Sequence, residues 1–183
     1  MIPIDLRPHT NAWAATYDRD RARGTVNAWG NSFPAEELPF GGSLALGGIE
    51  FELPPKADGA FDHCEALGQR IELPHSCRGV GLLAFGELGA QTVEMAIGSP
   101  DGGVEHMTVH VNGWLVEGNP PANSDRLLCS HLHYVGGYEL SQLRPAMWSV
   151  RVGWTRDDGT WISLGENPFF HVVAMTALGF RDD

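Results

Sequence analysis

The chain of 183 residues lacks a long apolar segment. Its longest apolar run covers residues 80–85, whereas a helix needs about 20 apolar residues to cross a bilayer. The N-terminal residues show no basic stretch followed by an apolar one, which argues against a secretory signal and predicts a cytoplasmic protein. We therefore expect neither a membrane protein nor a membrane partner.

Positive charge is also scarce. The chain has twelve basic and 23 acidic residues, which gives a net charge of −11, and Lys56 is its one lysine. A surface this acidic repels phosphate groups. Nucleic acid is therefore excluded as an expected partner.

Cysteine is the third scarce residue type. The three cysteines, Cys64, Cys77 and Cys129, are odd in number and far apart in the sequence. This spacing favours free thiols in a reducing compartment over a disulfide framework.

What is abundant points to β-structure. The chain contains 23 glycines and 12 prolines, and turn residues recur about every ten positions, as in β-sandwiches and barrels. Helical periodicity is rare, and 43% of the residues are hydrophobic, enough for a core. The length fits one domain over residues 1–183.

Three β-hairpins are predicted from alternating apolar and polar residues. Their turns lie at residues 47–48, 99–103 and 157–159, and the third hairpin would join 147–154 to 161–164. Two further segments, 80–85 and 169–178, are apolar on both faces. Such segments are typical of central strands that are covered on both sides.

Five short sequence blocks carry a family resemblance. Residues 30–39 read GNSFPAEELP, and the other blocks are IDL at 4–6, GGIEF at 47–51, GQRIELP at 68–74 and NPFFHVVAMT at 167–176. In this order they resemble accessory β-sandwich modules of bacterial glycoside hydrolases, including α-L-fucosidase-like enzymes. The resemblance implies an all-β, galactose-binding-like jelly-roll sandwich that binds carbohydrate without catalysis. Some such modules carry a structural calcium ion.

Loop tryptophans supply candidate carbohydrate-binding residues. An exposed indole can stack on the C–H face of a sugar, while amides nearby supply hydrogen bonds. Trp29 with Asn31, and Trp114 with Asn119 and Asn123, have this composition. We expect these two groups to lie on exposed loops.

The histidines leave a second hypothesis open. His131 and His133 are separated by one residue, so on an extended strand they share a face. With a third histidine and a carboxylate they would hold a transition metal, as in a small cupin-like β-barrel enzyme. The candidates for these further ligands are His106, His110, Glu105 and Glu139.

Other residues favour simpler roles. His171 lies in an apolar run, where a core histidine with satisfied hydrogen bonds is expected. The strand pattern around Trp154 predicts a buried side chain. No Gly-x-Ser-x-Gly elbow or phosphate-binding loop is found, so catalysis is less favoured than binding. A protein-interaction domain that forms a homo-oligomer through a flat sheet face is the remaining alternative.

Overall fold

The computed structural model describes residues 1–56, 59–117, 125–135, 142–155 and 158–179, except the side chains of residues 75 and 76. Within these ranges the secondary structure consists of β-strands and three short 3-10 helices, at Arg7–His9, Asp18–Arg23 and Ala35–Glu37. None of the described helices is long and apolar enough to cross a membrane. The strands are β1 (Ile2–Ile4), β2 (Ala15–Thr16), β3 (Phe33–Pro34), β4 (Ser43–Leu46), β5 (Ile49–Glu52), β6 (Cys64–Leu67), β7 (Arg70–Cys77), β8 (Gly79–Gly86), β9 (Gln91–Gly98), β10 (Val104–Val111), β11 (Leu115–Glu117), β12 (Arg126–Leu128), β13 (Leu143–Gly153), β14 (Gly159–Ser163) and β15 (Glu166–Leu178).

Two antiparallel sheets form the sandwich. The larger sheet has the order β1-β15-β8-β13-β11, with β6 also paired to β15 and β12 also paired to β13. The smaller sheet has the order β10-β9-β14-β7. The prediction of an all-β sandwich is therefore confirmed.

The first core lies between the two sheets. Leu82 and Val172 of the larger sheet belong to one buried cluster with Met95, Ile97 and Ile162 of the smaller sheet. Burial of apolar surface of this kind contributes about 25 cal/mol per Å². This cluster holds the sandwich together.

A second core covers the opposite face of the larger sheet. Leu83 and Phe85 of β8 pack there with Phe33, Phe51 and Trp114. Successive residues of a strand point to opposite faces, so β8 contributes side chains to both cores. All its residues are buried. The prediction of strands covered on both sides is confirmed for 80–85 and for residues 170–177, whereas Phe169 at the start of the second segment is 40% exposed.

Two of the three predicted hairpins are present. The β4-β5 pair turns at Gly47 and Gly48, whose φ angles are +60° and +69°, and positive φ at both positions is what this tight turn requires. The β9-β10 pair is the second.

The third predicted hairpin is wrong. The β13 strand pairs with β8, β11 and β12 in the larger sheet, whereas β14 pairs with β7 and β9 in the smaller one. The chain after Trp154 therefore crosses from one sheet to the other. Alternation identified which side chains face the core, and Trp154 is indeed buried, but alternation does not identify the partner strand.

Candidate metal centre

His131 and His133 come together with Asp18 at the edge of the second core. Ser32 and His133 exchange two backbone hydrogen bonds of 3.2 and 3.0 Å, which fix the histidine segment beside β3. Asp18 opens the Asp18–Arg23 3-10 helix that follows β2. The two Nε2 atoms of His131 and His133 lie 3.3 Å apart, and Asp18 Oδ1 lies 3.0 Å from His133 Nε2.

The other ring nitrogens of both histidines are already occupied. His133 Nδ1 lies 2.9 Å from Thr16 Oγ1, and His131 Nδ1 lies 2.8 Å from Ser130 Oγ and 3.1 Å from Glu37 Oε1. Histidines that bind metals donate their second ring N–H to an oxygen, which leaves the first nitrogen's lone pair for the metal. With the proton on Nδ1 in each ring, the two Nε2 atoms offer their lone pairs to one point.

The electrostatics of the centre favour an uncharged His133. Its side chain is fully buried. Burial and the neighbouring His131 hold the pKa of His133 below its ordinary value, against the opposing effect of Asp18. Neutral imidazole is the form that binds metal ions.

The separation of the two histidine nitrogens suits a tetrahedral ion. Zinc–nitrogen bonds of about 2.0–2.1 Å at a tetrahedral angle place two ligand nitrogens about 3.3 Å apart, which is the observed separation of the Nε2 atoms. Asp18, His131 and His133 supply three ligand atoms within 4.8 Å of one another. Three protein ligands leave one coordination position for water or a substrate atom.

Three of the other candidate ligands, His106, His110 and Glu105, do not join the centre. His106 and His110 lie exposed on β10, and Glu105 accepts hydrogen bonds from Thr155. Residue Glu139 lies outside the described residues. No sequence pattern pointed to Asp18, because it lies 115 positions from His133 in a loop of mixed charge.

The described candidates for sugar binding do not share one exposed surface. Trp114 is only 2% exposed and packs against Phe33 at a ring distance of 5.4 Å, so the expectation of an exposed platform there is wrong. Packing of the Trp114 ring within the second core explains its burial. Trp29 is 59% exposed, whereas Asn31 is buried. The other two residues, Asn119 and Asn123, lie outside the described residues.

A second polar network crosses the same core. The carboxylate of Asp62 accepts hydrogen bonds from the backbone amides of Ala14 and Ala15, at 2.6 and 3.2 Å. It also contacts Lys56 Nζ and lies 3.1 Å from His63 Nδ1. Burial alone would raise the pKa of Asp62, but His63 and Lys56 lower it overall.

His171 continues this network. Its Nδ1 lies 3.0 Å from His63 Nε2, and its ring stacks on Phe85 at 4.5 Å. Burial, together with His63, lowers the pKa of His171 to about 2. Within the described part of the chain its buried Nε2 has no hydrogen-bond partner, so the expected core histidine is present with one of its two nitrogens satisfied.

A cleft of about 340 Å³ lies beside both polar groups. Its lining includes Trp13, Tyr17, Arg23, Lys56 and Thr16. Thr16 also contacts His133, and Lys56 also contacts Asp62. The cleft therefore adjoins one residue from each network.

The two packed sheets define the chain as a β-sandwich domain. It belongs to the AziU2-like beta-sandwich domain family, whose model matches residues 1–179. Among curated proteins, no sequence matches the chain. The family match supports the β-sandwich part of the resemblance described above, and it gives no support to the galactose-binding-like or fucosidase-accessory assignment.

Proposed function

We propose that this domain binds a divalent transition metal ion, zinc above all, through Asp18, His131 and His133. The observation that supports this most strongly is the convergence of two Nε2 atoms 3.3 Å apart, with the opposite ring nitrogens held by Thr16 and Glu37. One oxygen and two nitrogens suit zinc and similar metals. Calcium prefers six to eight oxygen ligands, so this centre is not proposed as a calcium site.

The open coordination position suggests a function beyond structure. A metal ion with three protein ligands can polarise a substrate oxygen or activate a bound water. The Asp18 side chain is 60% exposed, so the centre is open to solvent on that side. A metal-dependent reaction at this centre is therefore the enzymatic form of the proposal.

Titration of the untagged protein, stripped with a chelator, with ZnCl₂ tests the metal site. We expect His131→Ala to weaken binding at this centre at least about tenfold, and Glu37→Gln to weaken it about 10–100-fold through loss of the carboxylate that orients His131. His106→Ala, an exposed histidine on β10, is the matched control. Equal zinc binding by His131→Ala and the unaltered protein would refute the proposal.

Carbohydrate binding by a non-catalytic module is the second proposal. It is supported by the exposed indole of Trp29, since such a ring can stack on a sugar. A glycan array probed with the protein and with Trp29→Ala and Trp29→Phe tests it. Binding that is lost in the alanine variant and kept in the phenylalanine variant would support it, and no bound glycan would oppose it.

A further inference from the structure

Four polar side chains share one face of the larger sheet. His171 lies opposite Glu65 of β6 and opposite Phe85 of β8 in the strand register. Directly opposed residues point to the same face, and so do residues two positions apart on one strand. His63 and Glu87 therefore point to this face as well, since each lies two positions from one of these residues.

A hydrogen-bond chain links Asp62 to His171 through His63. Within the described ranges the partners of Asp62 are donors, because an ionised carboxylate only accepts, so His63 donates from Nδ1. His63 Nε2 lies 3.0 Å from His171 Nδ1, whereas the buried Nε2 of His171 has no hydrogen-bond partner among the described residues. In the tautomer with the proton on Nδ1, this Nε2 offers a lone pair.

Two carboxylates lie beside His171. Glu87 Oε2 lies 3.7 Å from His171 Nε2, beyond hydrogen-bond distance. A carboxylate oxygen of Glu65 lies within 4.8 Å of ligand atoms of His63 and His171. Both glutamates are half-buried. Across the described ranges, neither carboxylate has an ion pair with lysine or arginine.

We propose that His171 Nε2, Glu65 and Glu87 form a second cation site, which takes a divalent transition metal ion such as Zn²⁺. A buried ring nitrogen without a hydrogen-bond partner is unfavourable, and a cation held by this nitrogen and the two carboxylates would remove that cost. One imidazole and two carboxylates are a suitable ligand set for zinc. Asp62 and His63 would act as positioning residues that hold His171 in the metal-binding tautomer.

Zinc titration of the untagged, chelator-stripped chain tests this site by stoichiometry. We expect loss of one bound equivalent in Glu87→Gln and in Glu65→Gln, with affinity at that site lowered at least about tenfold. Both variants keep side-chain size, and the amide introduced by Glu87→Gln can donate to the unpaired nitrogen of His171, so folding is preserved. Glu72→Gln, an exposed carboxylate on β7, is the matched control.

The titration distinguishes this second site from the first metal centre. His131→Ala removes the equivalent held at Asp18, whereas Glu87→Gln removes the other, so the two proposals fail independently. Long-range ¹H–¹⁵N spectra supply a readout that does not depend on affinity, and the ¹⁵Nε2 signal of His171 should shift when zinc binds. Unchanged zinc stoichiometry in Glu87→Gln, or a proton on His171 Nε2, would overturn the proposal.

Discussion

Replacement of Asp62 by asparagine tests the buried ion pair that anchors the polar network. Lys56 and Asp62 have side chains that are 8% and 2% exposed. Asparagine has nearly the same shape as aspartate, so the variant removes the charge without creating a cavity. It leaves the Lys56 ammonium buried without an anionic partner.

The expected cost is about 3–5 kcal/mol, the usual range when one partner of a buried ion pair is removed. Asparagine retains one acceptor oxygen for the backbone amides of Ala14 or Ala15, so part of the hydrogen bonding survives. Small domains have total stabilities of about 5–15 kcal/mol. Asp62→Asn should therefore fold, with a large loss of stability.

Urea unfolding followed by tryptophan fluorescence measures this loss. With a slope of about 2 kcal/mol per molar urea, the midpoint should fall by about 2 M. Asp5→Asn is the matched control, because Asp5 and Arg7 form an exposed pair at 2.7 Å. An exposed pair of this kind contributes about 1 kcal/mol or less.

The double variant separates the ion pair from the other hydrogen bonds. Adding Lys56→Met to Asp62→Asn removes the unpaired ammonium, so at least about 1 kcal/mol should be regained. A cost for Asp62→Asn that matches the control Asp5→Asn would refute the reasoning, since it would place the pair in water.

Three further predictions concern packing, backbone and pH. Trp114→Ala should lower the free energy of unfolding by about 3–5 kcal/mol, and Trp29→Ala by less than about 0.5 kcal/mol; equal losses in urea unfolding would contradict the burial difference. Gly165→Ala should cost more than about 1 kcal/mol, because Gly165 has a φ of +71° and a Cβ would collide with the Glu94 carbonyl oxygen; an unchanged melting temperature would contradict this. Folding lowers the pKa of Asp62, so its ionised carboxylate stabilises the folded state at pH values above the unfolded pKa of about 3.8. This stabilisation is lost as the pH falls through the pKa of Asp62 in the folded state. Acid titration should therefore show a shallower stability loss below about pH 4 in Asp62→Asn, and parallel curves would oppose the assignment.

Local signals in the sequence were enough for the strands of the three predicted hairpins and for the two central strands, β8 and β15. Turn glycines such as Gly47 and Gly48 marked a hairpin because only residues that tolerate positive φ fit that turn. The apolar run at 80–85 marked a central strand because it is covered on both faces. The pairing of β13 and β14 with different sheets could not be predicted, because alternation is the same in a hairpin and in a crossover.

The candidate sites show the same division. The one-residue spacing of His131 and His133 predicted a shared face on an extended strand. The two residues lie outside the strands, yet their Nε2 atoms are 3.3 Å apart. Asp18 completes that group from a position 115 residues away. The sequence placed Trp114 in a loop, yet its ring is buried in the second core.

By itself the sequence determined the all-β class, the acidic surface and the residues that face the core. These depend on amino-acid composition and on the two-residue period of side chains along a strand. Only the tertiary structure decided which strands pair and which distant polar groups meet. Asp62, His63 and His171 form one buried network although the hydrogen-bonded histidines are 108 positions apart. Such contacts are set by sheet register and by which side chains can be desolvated together, and neither leaves a local pattern in the chain.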